Sequence, residues 1–588
     1  MHLFRLLRTL RHLRARQVFG QLALRLVPAS MGPAAASDRL PVDEARPKTR
    51  LKAVGDWLHP DAESRSEADL LAGRLSFVGI ERRSSFPPDW DATDAPRLWR
   101  YNLHYHSFLF DLEFEEAREV VLDYIEHQNR VKHAEGWEPY PLSLRMVNWV
   151  ALFWGRWREQ TQAAPRFEAR LWLEVRRMAS QLMRRLEFHL MANHLLENAV
   201  ALSFAGATFE GADAEQWRAE GFRLLRSELR EQVLGDGMHY ERSPMYQARI
   251  LYTLGLLWNT GDEELAGICT HRIRKMASAL EVMTHPDGGI ALFNDSALGV
   301  YPQTSKLLDW LHEIGALKEP AQLTAAAGTV LQDAGYFAAC TVDGDAVFMD
   351  FGDIGPAYQP GHAHADFLSV EFSAGAQRLI VDGGNKEYDE TADRQFARSA
   401  KAHSTIIVDG EEPLELWGSF RVGRRGRAVL DEHHQDKGGI HLLRASHNGY
   451  THLSGRPVAR RELRWDPSGM LELRDSVTSP KRLPCISQLI IDGTWELDRI
   501  DSKSLRFSHE GTEVLVCASS PIEFEETRWF PHFGVEAQAH RLYQSFSSGR
   551  DEPATEWTLL VSRGSNRSSK SAAMLDSLQA RLRCESQS

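Results

Sequence analysis

The chain has 588 residues, is 43% hydrophobic and 26% charged, and carries a formal net charge of −12. That length exceeds one ordinary core, so two or more domains are expected. The acidic balance excludes a general nucleic-acid binder, which needs a basic excess for phosphate contacts, although a local basic cleft can still hold an acidic polymer.

Residues 1–27 carry Arg5, Arg8, Arg11, Arg14, Arg16 and Arg25, interleaved with leucine and valine, and no acidic residue. This pattern predicts an amphipathic basic helix, lying either on an anionic membrane surface or on an acidic partner, or packed on its own protein. The long apolar run of a secretory signal is missing, and no run of about twenty apolar residues follows, so no transmembrane helix is expected. The expectation is a cytoplasmic chain, with a periplasmic or membrane-peripheral place as the alternative. Residues 28–55, rich in Pro, Ala, Ser and charge, read as a linker or irregular wrap. The basic helix and linker form a first unit, 1–55.

From about Asp111 to Leu317 apolar residues recur at three and four, which predicts helices over Phe114–Glu126, Leu142–Arg158, Phe167–Phe188, His194–Phe204, Ala214–Leu234, Ser243–Trp258 and Glu264–Met283. Many helices of similar length with short connections suit helical hairpins stacked into a ring or solenoid. Near Thr324 the character changes to short, alternating or β-branched segments such as Phe337–Thr341, Ala346–Phe351, Met470–Ser476 and Trp557–Ser562. The chain therefore divides into a helical unit, 56–325, and an antiparallel β unit, 326–588, built as a sandwich of two sheets. Sixteen tryptophans suit sugar stacking as well as core packing. Five scattered cysteines, Cys269, Cys340, Cys485, Cys517 and Cys584, form no CxxC and make neither a disulfide framework nor a thiolate zinc site.

Three constellations could carry chemistry. In Gly361-His362-Ala363-His364-Ala365-Asp366-Phe367-Leu368-Ser369-Val370, an extended run would turn His362, His364 and Asp366 to one face, continued by Leu368, Val370 and Phe372. Burying those polar groups unpaired is costly, so metal ligation or acid–base work is the functional reading and an exposed histidine-bearing edge the structural one. With Val381-Asp382-Gly383-Gly384-Asn385 and Ala402-His403-Ser404-Thr405, this run offers His364, Asp382 and His403 as imidazole and carboxylate ligands. Such a set suits zinc, or manganese where carboxylate and water dominate. In Asn193-His194-Leu195-Leu196-Glu197-Asn198, helical spacing gathers Asn193, His194 and Glu197 within about one turn, as a site or as capping chemistry. In Glu241-Arg242-Ser243-Pro244-Met245-Tyr246, Ser243 suits an N-cap and Pro244 the first helical position. Tyr246 would then sit in the positive field of the helix start, which with Arg242 favours phenolate and a proton-transfer role; a core tyrosine is the plain alternative. Lesser candidates are the loop Phe293-Asn294-Asp295-Ser296, Arg145 in a Trp/Tyr/Pro-rich segment, and Arg394, Arg398, Trp417, Arg421, Arg424 and Arg425, where arginines could hold a carboxylated or sulfated ligand.

Taken in order, Asn193-His194…Glu197-Asn198, Glu241-Arg242-Ser243-Pro244-Met245-Tyr246, Phe293-Asn294-Asp295, Gly361-His362-Ala363-His364-Ala365-Asp366, Val381-Asp382-Gly383-Gly384 and His403-Ser404-Thr405 resemble the heparinase II/III-like polysaccharide lyases, a group similar to the oligo-alginate lyases. The resemblance covers roughly residues 100–480. It implies an incomplete (α/α) toroid followed by an antiparallel β-sandwich, and β-elimination on a uronate-containing polysaccharide: a glycosaminoglycan such as heparan sulfate, chondroitin or hyaluronan, or an alginate-like polymer. Carried over by motif, Asn193 with His194 neutralises the substrate carboxylate, Tyr246 is the acid and for one C5 epimer the base, and His362 is the base on the opposite face. Glu197 orients His194 or binds substrate with Arg145, Asn294, Arg398, Trp417 and Arg421. His364, Asp382 and His403 hold one divalent metal, zinc before manganese, in a structural role. Gln247 stands where family members often carry histidine. The competing readings are a metal-dependent hydrolase built on the His362/His364/Asp366 run and a non-catalytic polysaccharide-binding or assembly protein of a bacterial surface-polysaccharide system.

Overall fold

A computed structural model describes residues 2–26, 46–47, 53–130, 135–318, 328–551 and 554–562. Most of the 28–55 segment, and Cys584, lie outside the described residues.

The predicted basic helix is two helices, α1 (His2–Leu10) and α2 (Ala15–Leu26), hinged at 11–14. After a small hairpin (Arg74–Phe77 with Ile80–Arg83) the helical half runs through α3 (Arg97–Tyr105), α4 (Phe114–Arg130), α5 (Pro139–Val150), α6 (Pro165–Arg184), α7 (Ala192–Thr208), α8 (Ala212–Gln232), α9 (Pro244–Asn259), α10 (Glu263–Val282) and α11 (Thr304–Glu313). The helix expected over Leu142–Arg158 instead passes from α5 into one wider turn, Ala151–Arg156. Helix α6 shows why these segments are helical. Phe167, Leu171, Val175, Met178 and Leu182 recur at three and four and are buried, while Arg166, Arg170 and Arg184 are exposed. Helices α7 and α9 are apolar nearly all round and form the middle of the assembly, with α7 packed against α5, α6, α8 and α9. The α7/α8 hairpin closes so tightly that a Cβ on Gly206 would lie 2.5 Å from the Arg218 backbone, and one on Gly221 2.6 Å from Ser203 N. Stacked antiparallel pairs of this kind make an incomplete (α/α) toroid.

The second half is two antiparallel sheets. One runs through β1 (Thr329–Leu331), β2 (Tyr336–Cys340), β3 (Ala346–Asp350), β4 (Val370–Ala374) and β5 (Gln377–Ile380), with β6 (Ile406–Val408) also joining it. The other holds β7 (Ala428–Gln435), β8 (His441–His447), β9 (Val458–Asp466) and β10 (Met470–Thr478). Then come β11 (Pro484–Asp492), β12 (Glu496–Arg499), β13 (Ser504–His509), β14 (Thr512–Ala518), β15 (Glu523–Trp529), β16 (Ala537–Ser547) and β17 (Ala554–Ser562). The spatial orders are β15-β16-β11-β5-β4-β3-β2-β1, with β6 beside β11, and β7-β8-β9-β10-β17-β14-β13-β12. Alternate residues of β9 are buried, and Leu463 and Trp465 meet Phe372 and Leu489 of the facing sheet in one shared core. Across that core Arg461 of β9 pairs with Asp475 at 2.7 Å and donates to the carbonyls of Leu368 and Ser404, tying down two loops that matter below.

Candidate active site

A cleft of about 920 Å³ lies where the helical half meets the sheets. Its lining includes Asn193, His194, Glu241, Tyr246, His362, Tyr388 and Arg421. Segments from α7, α9, the 361–369 loop and the 385–390 loop thus converge; the last of these lies outside the ordered motifs.

The 361–369 run is not the expected strand. It is a loop, and β4 begins only at Val370. Leu368 has φ +62°, which breaks any two-residue alternation. The loop is pinned from outside by Asn294, whose backbone N–H donates to Asp366 at 3.0 Å and whose Oδ1 accepts from the His364 N–H at 3.2 Å. Left-handed backbone occurs at Met191 and Ala192 where α7 begins, at Arg242 just before α9, at Asn294 in the loop that pins 361–369, and at Leu368, and strain of this kind collects at functional sites.

Asp295 joins the two histidines. His362 Nδ1 is 2.9 Å from Asp295 Oδ2 and His364 Nε2 is 2.9 Å from Oδ1. Arg394 grips the same carboxylate with both terminal nitrogens. Burial works to raise the Asp295 pKa, yet Arg394 and the two histidines hold it well below the usual carboxylate range. An ionised carboxylate only accepts, so the proton of a neutral His362 sits on Nδ1 and its lone pair is on Nε2. The His362 ring is 4.3 Å from the Tyr246 ring, and the Tyr246 and Tyr388 hydroxyls are 3.1 Å apart.

The helix start carries Tyr246 as predicted: Ser243 caps α9 by accepting from Tyr246 N, with Pro244 next. The expected phenolate is corrected, however. Burial, then the neighbouring tyrosines, push the Tyr246 pKa up, so the phenol keeps its proton. Gln247 is framework: it accepts from His239 N and donates to the carbonyls of Gly237 and Met276.

Asn193 is held by Glu241, which accepts from its side-chain nitrogen at 3.0 Å and its backbone N–H at 3.2 Å; Asn193 Oδ1 is buried with no protein partner. Glu241 Oε2 is also 3.7 Å from His362 Nε2. His194 pairs with Glu187 at 3.1 Å; burial lowers its pKa, but Glu187 outweighs that and raises it, favouring imidazolium. Glu187, rather than Glu197, thus orients His194.

Other candidates lie away from the cleft lining. Glu197 is buried and paired with Arg249 at 2.8 Å. Arg145 is buried and donates to the carbonyls of His104 and Gly136. Arg398 donates to the carbonyls of Ala363 and Gly418, and Asn294 Nδ2 to that of Arg242. Trp417 donates to Thr9 and carries Arg421, whose guanidinium lies 4.5 Å from its ring centroid; Arg421 alone of the pair reaches the cleft. The sequence reading passed over Glu187, Glu241, Asp295 and Tyr388 as functional groups, and Arg185. Arg185 lines the cleft with Nε and Nη1 buried and unpaired. Glu241 and Asp295 stood inside motifs that had been singled out, so those motifs held the signal; Arg185 ends an arginine-rich helix and had none.

Behind the cleft, His364, Asp382 and His403 are fully buried, and one donor atom from each lies within 4.8 Å of the others. His364 Nδ1 and His403 Nε2 have no protein partner, while His403 Nδ1 is 2.8 Å from Asp382. Orphaned imidazole nitrogens beside a carboxylate fit a divalent cation.

Family models match in both halves: "Heparinase II/III N-terminus" over residues 100–312 and "Heparinase II/III-like, C-terminal" over 324–558. The chain is 26% identical over 246 residues to a heparin-sulfate lyase of Pedobacter heparinus, covering 37% of this chain and 36% of that protein, little more than a third of its length. It is 27% identical over 416 residues to FtsZ-localized protein C of Caulobacter vibrioides, covering 67% of each. Among solved structures it is similar to heparinase III (TM-score 0.69, 15% identity, 91% of this chain and 90% of that one). It is also similar to a heparan sulfate lyase from Pedobacter heparinus (TM-score 0.59, 15% identity, 90% and 87%), and at such identities both likenesses are ones of fold. With matched models in both halves and the helical-then-sheet architecture of heparinase III, the chain belongs to the heparinase II/III-like family.

Proposed function

We propose that the protein is a polysaccharide lyase that cleaves a uronate-containing polymer, of glycosaminoglycan type, by β-elimination. The observation that carries this reading is the Tyr246 ring tilted 4.3 Å from the His362 ring, in a cleft that also presents Asn193 and His194. The reaction breaks the C5–H and C4–O bonds of the uronate and forms a C4=C5 double bond. His362 Nε2 takes the C5 proton and Tyr246 gives its proton to the departing O4; serving as both on the other C5 epimer would first require a phenolate, which burial opposes. Negative charge moves onto the substrate carboxylate in between. Protonated His194 and the Nδ2 hydrogen of Asn193 that is not given to Glu241 are the donors offered to it. Arg185 and Arg421 are the cleft cations without carboxylate partners among the described residues, and so suit further anionic groups of the polymer.

His364, Asp382 and His403 would hold one divalent ion, zinc or manganese. Bound there, it would supply fixed positive charge that braces the loops from the sheet side. Its ligands do not line the cleft, so the chain's own residues carry the proton transfers. The match to FtsZ-localized protein C, whose name states a location and not a reaction, leaves a second reading open, a non-catalytic member of the family. That reading does not require an acid–base pair or its supporting carboxylates.

The test is ultraviolet detection of unsaturated uronate ends after incubation with hyaluronan, chondroitin, heparan sulfate, heparin and alginate. Tyr246→Phe should lower the rate by roughly 10²–10⁴-fold while substrate binding persists. New reducing ends without unsaturation would replace the lyase with a hydrolase. Polymer binding with no cleavage anywhere would favour the non-catalytic reading.

A further inference from the structure

The N-terminal helices are amphipathic in an inverted sense. Four of the arginines here face the protein: Arg5 and Arg8 reach Glu415, Arg14 pairs with Glu231 and lies 3.7 Å over the Tyr358 ring, and Arg16 lies 4.1 Å over Phe188. The apolar side chains face outward. Phe4, Leu7 and Leu10 recur every three residues on α1, and Val18, Phe19 and Leu22 sit within one turn or so on α2; Phe4 is 67% and Phe19 70% exposed. Together with Leu6 these make half of the large exposed hydrophobic residues among the described residues, gathered in about twenty positions. A patch so concentrated on an otherwise polar surface is a contact surface.

Charge identifies the contact. No acidic residue occurs before Asp38. Beside the apolar stripe, Arg11 and Arg425 lie close enough that the Arg11 charge, after burial, helps push the Arg425 guanidinium down to about 10. Neither has a carboxylate partner among the described residues. Arg11 donates only to His12, and Arg425 to the Ala357 carbonyl with its Nε buried and unpaired. Two repelling guanidinium groups at the edge of exposed leucine and phenylalanine fit anionic headgroups above an acyl layer. No helix of the described residues is long and apolar enough to cross a membrane, so this contact is with the bilayer surface.

We propose that α1 and α2 form a docking face for the surface of an anionic lipid bilayer, with Phe4, Leu7, Leu10 and Phe19 entering the interface and Arg11 with Arg425 meeting lipid phosphates. This is independent of the lyase reading. The test is vesicle flotation of the full chain with phosphatidylcholine alone and with equal parts of phosphatidylcholine and phosphatidylglycerol. Flotation with the anionic vesicles only, weakened by salt, is expected. Phe4→Ser/Phe19→Ser should abolish it with an unchanged melting temperature, since both side chains are already in solvent. Arg11→Gln should weaken it roughly fivefold. Failure of the wild type to float with either vesicle, or equal flotation of Phe4→Ser/Phe19→Ser, would overturn the proposal. So would a concentration-dependent dimer that the same double substitution dissolves, because the face would then join two copies of this chain.

Discussion

In the proposed reaction, Asp295 and Glu241 are the two carboxylates that would set the chemistry without performing it. Asp295 fixes the proton of His362 on Nδ1, and Glu241 fixes which end of the Asn193 amide faces inward. Glu241 accepts two hydrogen bonds from one residue, and a glutamine can accept only one of them at its single oxygen while opposing the other with an N–H. Glu241→Gln should therefore lower kcat/KM by roughly 10–100-fold with little change in melting temperature. An unchanged kcat/KM would show that Asn193 needs no such anchor. Neither carboxylate was identified from sequence, although both motifs were. The reason is physical: Asn294 and Asp295 are neighbours, and only the fold reveals that Asn294 faces backbone while Asp295 faces three cations or imidazoles. Arg145 and Arg398 went the other way. Arginine in an aromatic or basic stretch suggests an anion site, but both donate instead to backbone carbonyls inside the fold.

At the scale of elements, the site depends on loops held by strands more than on the strands themselves. The alternation in 361–370 imitates a half-buried strand, yet polar residues at every second position also suit a loop whose side chains bind Asp295 and the Asn294 backbone in turn. Helices and strands elsewhere follow their apolar periods closely, because each buries one face in a core. Loops obey partners, and partners are not periodic. The His364, Asp382 and His403 segments are such loops, and this candidate ligand set was legible because two histidines and an aspartate, all able to ligate a metal, fall close together in the chain. The purified protein is expected to carry a stoichiometric divalent metal by elemental analysis. His403→Ala should release it and lower the melting temperature by several degrees, with far-ultraviolet circular dichroism preserved, since the ion would brace loops inside an intact sandwich. Metal-free wild type with the same melting temperature after addition of zinc or manganese would show that His364 and His403 remain unligated.

Across the whole molecule, α1 and α2 act as a strap between the halves. They contact Glu231 and Phe188 on the helical side and Glu415, Trp417 and Tyr358 on the sheet side. Glu415 adjoins the Leu416–Val422 hairpin, whose Gly418, Ser419, Phe420 and Arg421 line the cleft, so the strap and the cleft wall share an anchor. The hydrogen bond from Arg8, set against burial and aided by the Arg424 backbone N–H and Arg5, pulls the Glu415 pKa down to about 2. A carboxylate depressed in the folded state adds stability that is present above its ordinary value near 4.5 and is lost as pH falls toward about 2. The difference in melting temperature between the wild type and Glu415→Gln should therefore be positive at pH 7, roughly a degree or two because the arginines are partly in water, should be clearly smaller at pH 3, and should approach zero only near pH 2. Trypsin at neutral pH should also cut after Arg8 and Arg11 faster in the variant. A melting difference that persisted unchanged at pH 3 would assign the effect of the substitution to packing of the hairpin rather than to the charge, and equal rates of cleavage at pH 7 would mean that Glu415 does not hold the strap.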